Sequence, residues 1–323
     1  MLGDRTFSLQ KVHNDGTKKA YETLLVGYVL ELSLFGVRIE FDGRNENHET
    51  GDVIVSWNRP AEKVVDEKLG PGPIEDEIRF PLKPSTNGLS QIDIDLHGSR
   101  TTAFDMGDHT SRWFSERLGY EVRLAYMGES SRPVLGSLAP HSRDALAKAG
   151  WMNRLKAMLP FSLFTYPAER LVFNDIAHYL VVTEESNEYV TSILEDGCEM
   201  DITKFRPNIV VKGAPGPFVE DFWGELSFDS GVQMPLTGNC YRCQSITVDF
   251  NTGKTATDDR GSVWKKLNKT RRVDKGAKWS PIFGRYGYCF GSSVGKSITV
   301  GQKAYVTRVN SQRTFFGKSK SMG

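Results

Sequence analysis

Cys240-Tyr241-Arg242-Cys243 is the densest cluster of reactive side chains in this 323-residue chain. It runs into Gln244-Ser245-Ile246-Thr247-Val248-Asp249 and a turn at Asn251-Thr252-Gly253. A C-x-x-C pair admits three chemistries. A structural zinc site needs four ligands, and no second Cys/His pair stands at finger spacing. A thioredoxin-type redox pair wants its first cysteine at a helix N-terminus, which depresses the thiol pKa, whereas a β-branched alternating run follows here. Two buried structural thiols are the plain alternative. The six histidines are scattered, and His97 and His178 fall in or beside strands, where a satisfied structural imidazole is expected rather than a ligand. No GxSxG, Walker or dinucleotide fingerprint is present, and Gly291 to Gly295 with Lys296 only looks like a phosphate loop.

The elements able to position these residues are mostly strands. Segments 5–12, 24–34, 37–41, 52–57 and 91–96 mix alternation with β-branched and aromatic residues, with turns at Asp15-Gly16 and Asp42-Gly43. Pro71, Pro73, Pro81 and Pro84 interrupt them. Residues 108–118 predict a helix capped by Asp108 and stopped by Gly119, followed by a strand over 121–126. Residues 128–150 read as connecting segment, and 145–159 as a short helix with a basic face. Beyond them come a strand at 178–182, a helix at 184–194 capped by Thr183 and ended by Gly197, and strands at 205–211, 243–250 and 298–309. Many strands and few helices predict a β-barrel-rich α+β fold, and the length suits about two domains.

The motif order around the cysteines is more informative than the pair alone. Phe205-Arg206-Pro207-Asn208-Ile209-Val210 comes first, then Pro217-Phe218-Val219-Glu220-Asp221 with Trp223. The cysteine segment follows, and Phe283-Gly284-Arg285-Tyr286 closes the series. In this order the motifs resemble the MOSC family, the domain named after the C-terminal part of molybdenum cofactor sulfurase. Among its members the chain looks most like the mitochondrial amidoxime-reducing proteins and their bacterial counterparts. The resemblance implies a MOSC N-terminal β-barrel-like domain over 1–127, a connecting segment over 128–149, the MOSC domain over 150–308 and a basic tail over 309–323.

It also implies a site. Cys243 would be the catalytic thiolate and the protein ligand of molybdenum, a soft donor for a metal already held by the two sulfurs of a molybdopterin. Arg206, Asn208, Tyr241, Arg242 and Tyr286 match cofactor-contacting positions, and Asp175 to Ala177 aligns loosely with another. Arg5, in Gly3-Asp4-Arg5-Thr6-Phe7, matches the N-terminal domain's contact and would place the cofactor between two domains. Cys240 would be a structural neighbour. Glu220, Asp221 and Trp223 are expected to be structural, and Asp249 to order the turn after it.

The implied activity is an oxidoreductase that removes oxygen from N-hydroxylated compounds, supplied by an external donor such as a cytochrome b5 and its reductase. The alternative is a non-catalytic cofactor carrier or a sulfur-transfer module bearing persulfide. No segment resembles the aminotransferase-like half of a complete sulfurase, so pyridoxal phosphate is not expected. Family members open with a strand carrying a Y-P-I/V-K-S-type motif, and Met1-Leu2-Gly3-Asp4-Arg5 begins too late for it. That strand is expected to be missing, together with any mitochondrial or anchoring leader.

Composition sets limits on partners. An apolar content of 39% suits a folded chain, and four cysteines are too few for a disulfide scaffold, which points to a reducing compartment. The net charge of +1 hides a split. Residues 265–323 hold 14 Lys/Arg against one acid, Asp274, giving +13, while the rest hold 27 bases and 39 acids, giving −12. Because the positive part contains cofactor motifs, nucleic acid is not the expected partner. Residues 265–278 are expected to form a solvated basic loop or a docking surface for an acidic electron-transfer partner. No apolar run reaches the length of a membrane helix.

Overall fold

A computed structural model of the chain describes residues 3–14, 19–42, 50–60, 76–134, 170–289 and 291–315. The expected helix at 145–159, the Asp15-Gly16 turn, Pro71 and Pro73, and the end of the basic tail lie outside these residues. The chain is strand-rich, with a nearly closed barrel, a half-barrel and, among the described residues, three α-helices. It divides into two compact units: Met1–Arg132 with Val248–Thr255, and Pro133–Thr247 with Ala256–Gly323. The first unit therefore takes in a hairpin from far along the chain.

The first unit is built from β1 (Phe7–Asn14), β2 (Lys19–Thr23), β3 (Phe35–Phe41), β4 (Gly51–Trp57), β5 (Glu77–Pro81), β6 (Gln91–Leu96), β7 (Ser99–Asp105) and β8 (Val122–Tyr126). They form a sheet in the order β2-β1-β8-β7-β6 and a second in the order β3-β4-β5. In β6 the alternation buries Ile92, Ile94 and Leu96 and exposes the residues between them, the period-2 pattern of a one-sided strand. Leu34, Val55, Trp57, Phe80, Trp113 and Phe114 sit in its core. Helix α1 (Asp108–Leu118) stops at Gly119 in the left-handed conformation. Its N-cap is Gly107, not Asp108, whose carboxylate instead accepts from Arg123 Nη1 at 2.7 Å.

Residues 24–34 are not the expected strand. Gly27 lies in a turn where Tyr28 and Val29 both donate to the Leu25 carbonyl, and Leu30–Leu34 winds into a 3₁₀-helix that buries Leu34. The late hairpin comprises two-residue strands that follow β9 (Arg132–Pro133), β10 (Arg170–Leu171), β11 (Tyr179–Thr183), β12 (Ile209–Val211), β13 (Trp223–Phe228) and β14 (Gln233–Tyr241) in the chain. They are β15 (Val248–Asp249) and β16 (Lys254–Thr255). Its turn needs Gly253, which has φ +65°, and a Cβ there would meet Leu34 at 2.9 Å. Asp249 orders that turn by accepting from the Asn251 backbone N–H at 3.0 Å.

The second unit centres on a six-stranded sheet ordered β12-β11-β17-β14-β13-β18, completed by β17 (Ile282–Gly287) and β18 (Ala304–Val309). Strands β11 and β12 run parallel, and the other pairs described are antiparallel. Thr183 caps α2 (Glu184–Ser192), its hydroxyl accepting from Ser186 N. Three expected strands shorten, and 298–309 keeps only β18. Residues 205–211 keep only β12, because Arg206 turns left-handed at φ 53° to end a 3₁₀ turn at Ile202–Phe205, and Pro207 has no N–H to give. Residues 243–250 begin with a 3₁₀ turn, Gln244–Thr247, that buries Ser245, Ile246 and Thr247. The expected basic loop at 265–278 starts as helix α3 (Val263–Thr270), with Val263 and Leu267 buried. Among the described residues no helix is long and apolar enough to cross a membrane.

A polar network lies inside this unit. Asp221 accepts from Arg271 at 2.8 and 2.9 Å and from Arg313 at 2.8 Å. Arg285 donates to Asn239, to the Trp223 and Leu236 carbonyls and to Thr314. Glu220 accepts from Ser186 at 2.7 Å and Thr183 at 3.2 Å, and burial pushes its carboxyl above the ordinary range. Because the folded pKa is raised, the folded state holds the extra proton. Glu220 therefore favours folding below its unfolded pKa, and that contribution is lost as pH rises through the folded value. In Glu220→Gln, a neutral amide keeps both partners, so stability is expected to vary less with pH above about 4.5 than in the parent. Urea unfolding of both proteins across mildly acidic to neutral pH checks this; parallel curves would refute it.

Candidate functional site

The cysteine segment is positioned where β14 ends against β17. Strand alternation turns Cys240 inward and leaves Tyr241 38% exposed. Arg242 then leaves the strand, its backbone N–H donating to the Pro281 carbonyl at 2.8 Å and its own carbonyl accepting from Trp264 Nε1 at 2.9 Å. These two bonds fix the peptide immediately before Cys243.

The Arg242 side chain folds back into the protein instead of reaching solvent. Its Nη1 donates to Cys240 Sγ at 2.9 Å and its Nη2 to the Phe205 carbonyl at 2.8 Å. The guanidinium faces the Phe205 ring at 5.5 Å, and Phe205 stacks on Phe283 with centroids 3.7 Å apart. From β17, Tyr286 brings its hydroxyl oxygen within 3.2 Å of Cys240, which donates its thiol proton. Nε of Arg242 is buried with no partner. Burial pulls the guanidinium down, but Cys240 and Tyr286, with Cys243, outweigh it and hold Arg242 above its ordinary range. Burial, then Cys240 and Asp175, push the Tyr286 phenol well up. Tyr286 thus stays protonated at neutral pH.

Cys243 is exposed, and its sulfur lies 3.0 Å from the Ser245 hydroxyl. The local chemistry is therefore an accessible thiol, next in the chain to a buried positive charge. Removing the sulfur that Arg242 holds should be felt. Cys240→Ala leaves Nη1 without its acceptor beside an already unpartnered Nε, and a loss of about 1–3 kcal/mol is expected by urea unfolding. Cys240→Ser should recover part of it; equal losses in the two variants would show that packing, not the acceptor, matters.

The other expected site residues separate into groups. Phe205 ties Arg206 to this cluster through the chain: Arg206 is the next residue, exposed, and held left-handed with its N–H on the Thr203 carbonyl. Asn208 exchanges two bonds with β11, its N–H donating to the Leu180 carbonyl and its Oδ1 accepting from Leu180 N, both at 2.9 Å. That amide oxygen is therefore spent in stitching β12 to β11. Arg5 belongs to the first unit, also left-handed at φ 56°, with Nε 3.9 Å from Asp4. His178 is satisfied structurally: Nε2 donates to the Arg170 carbonyl and Nδ1 accepts from Cys289 N.

Three partners were not visible in the sequence. Ser245 and Trp264 lie in no recognisable pattern, and the Phe205 carbonyl is a backbone group. Cys240 gave a usable signal through its place in the same C-x-x-C segment, two residues before Arg242.

The donor set can be weighed against a molybdenum cofactor. Among the described residues no three His, Cys, Asp or Glu side chains gather to hold a metal ion. One exposed thiol, flanked by a buried cation with an unused N–H, suits a metal that arrives with most of its own ligands.

Comparison with known proteins agrees with this part of the chain. Residues 168–305 match the MOSC domain. The molybdenum cofactor sulfurase of Homo sapiens is 26% identical over 206 residues, covering 61% of this chain and 20% of that protein. That of Bos taurus is 24% identical over 204 residues, covering 60% and 20%, and that of Danio rerio 31% over 179 residues, covering 54% and 20%. The chain thus spans about a fifth of the length of these relatives. All four motifs fall inside the matched residues, so residues 168–305, which hold β11, β14 and β17, are similar to the MOSC domain.

Proposed function

We propose that this chain binds a molybdenum cofactor through Cys243 and reduces N-hydroxylated compounds with electrons from an external donor. The observation that carries the reading is the exposed Cys243 thiol, next in the chain to a buried guanidinium, inside the residues that match the MOSC domain. When bound, the cofactor would supply the two-electron chemistry that converts an N–hydroxyl group and two protons to N–H and water.

The residues of the chain have the following parts. Cys243 offers the thiolate ligand, and Ser245 orients its sulfur. Arg242 stays inside and keeps the potential at that ligand positive, instead of binding the cofactor's phosphate directly. Arg206, exposed and aimed by its left-handed backbone, is the cation for phosphate or pterin oxygens. Tyr241 presents its ring beside the ligand, and Tyr286 holds Cys240 from behind. Asn208 is a contact through its amide nitrogen, since its oxygen is bonded to β11. Arg5 is proposed as a further cofactor-contacting cation. A cytochrome b5-type protein with its reductase is the proposed donor.

A second reading draws on the relatives, each of which is named a molybdenum cofactor sulfurase. In it the chain carries the cofactor, or sulfur as a persulfide on Cys243, without turnover. One experiment separates the two. Cofactor-loaded protein, reduced methyl viologen and benzamidoxime should yield benzamidine. Bound molybdenum without benzamidine, together with persulfide labelling at Cys243, would establish the second reading instead.

A further inference from the structure

Helix α3 and the turn after it carry seven cations between Lys265 and Lys278. Two are consumed. Lys266 bonds Asp259 at 2.6 Å and Glu195 at 2.9 Å, and Arg271 is buried against Asp221. Lys265, Lys269, Arg272, Lys275 and Lys278 are all exposed, and none makes an ion pair among the described residues. Lys265 and Lys269 are four residues apart, on the helix face opposite the buried Val263 and Leu267.

The turn is built from inside. Asp274 is buried, and one carboxylate oxygen accepts from Gly276 N at 2.8 Å while the other accepts from Asn239 at 3.1 Å. The only acid from Lys265 to the end of the chain is thus withdrawn from the surface. Ala277 N donates to the Asp274 carbonyl and Ser280 N to the Ala277 carbonyl. On this anchored turn Trp279 is 80% exposed. Burying an indole is favourable, so a tryptophan left in water on a well-bonded turn calls for a partner.

We propose that residues 263–280 form a docking surface for an anionic lipid membrane, with Trp279 entering the headgroup layer and the five free cations facing its phosphates and carboxylates. The composition favours lipid over protein. Four of the five cations are lysines, which are depleted in protein interfaces, whereas lysines in one segment with an exposed tryptophan match the interfacial zone of a bilayer. The inference stands on these residues alone and does not depend on the cofactor reading.

Co-sedimentation of the full chain with vesicles tests it. Binding to phosphatidylcholine vesicles containing phosphatidylserine is expected to be at least about tenfold tighter than to phosphatidylcholine alone, and to weaken with salt. Each cation near such a surface is worth about fivefold, so Lys275→Gln with Lys278→Gln should lose about 25-fold. Trp279→Ala should lose about three- to tenfold on the same vesicles, since it removes the interfacial anchor. These side chains are exposed, so unchanged circular dichroism will confirm folded variants. Equal binding to both vesicle types, or variants that bind like the parent, would overturn the proposal. So would retention on immobilised polyglutamate as strong as on vesicles and insensitive to Trp279→Ala, which would mark the surface as one for acidic proteins.

Discussion

Cys243→Ala is expected to abolish benzamidoxime reduction while leaving the protein folded. Its side chain is exposed and its one described partner is Ser245, so truncation should shift stability by less than about 1 kcal/mol. The effect on function should be far larger. Mutating an outer partner of a metal ligand costs about 10–100-fold, so removing the proposed ligand itself should cost more than about 100-fold. Steady-state turnover with reduced methyl viologen, alongside thermal unfolding, separates the two effects. Ser245→Ala should fall between the parent and Cys243→Ala, because it frees the thiol's orientation without removing it. Activity within a few-fold of the parent in Cys243→Ala would rule the proposed role out.

The largest loss of stability is expected at Asp221. This carboxylate is fully buried and accepts from Arg271 and Arg313. Arg271 is itself buried, lies 3.7 Å over the Phe218 ring and donates to the Ile282 carbonyl at 3.2 Å. Asp221→Ala would strand that guanidinium in the interior, and breaking a buried pair from one side typically costs about 3–5 kcal/mol. For a unit of this size that corresponds to a fall in Tm of roughly 10 °C. Asp221→Asn, which keeps one acceptor, should lose less. The reason is chemical: Asn still gives the buried guanidinium one hydrogen-bond acceptor, whereas Ala gives it none. A calorimetric Tm within about 2 °C of the parent in Asp221→Ala would contradict this reading.

The fold was legible where one rule dominates locally. Residues 91–96 alternate strictly and become β6, and Thr183 caps α2 as its position before an acidic first turn suggests. It was not legible where two patterns compete. Ile246 and Val248 alternate like a strand, yet the 3₁₀ turn at Gln244–Thr247 buries Ser245 and Thr247 as well, which a one-sided strand would not. Residues 265–278 looked like a basic loop because the apolar face of α3 rests on few residues, Val263 and Leu267 chief among them. The buried network was beyond any spacing argument. Asp221 and Arg271, or Asn239 and Arg285, are brought together only by the sheet order.

The same holds for the site. The motifs identified the segment, but not the inward turn of Arg242. A sequence reading gives that cation to the cofactor; the fold gives it to Cys240 and the Phe205 carbonyl. The charge split also took on a different meaning. Lys266, Arg271 and Arg285 are spent in ion pairs and hydrogen bonds, while five exposed cations between Lys265 and Lys278 precede an exposed tryptophan, Trp279.

The central claim is that Cys243 ligates molybdenum. X-ray absorption at the molybdenum edge of cofactor-loaded protein tests it most directly, because it counts sulfur neighbours without needing turnover. The parent should show one more sulfur around the metal than Cys243→Ser does. An identical sulfur count in the two proteins, at equal molybdenum content, would contradict the account.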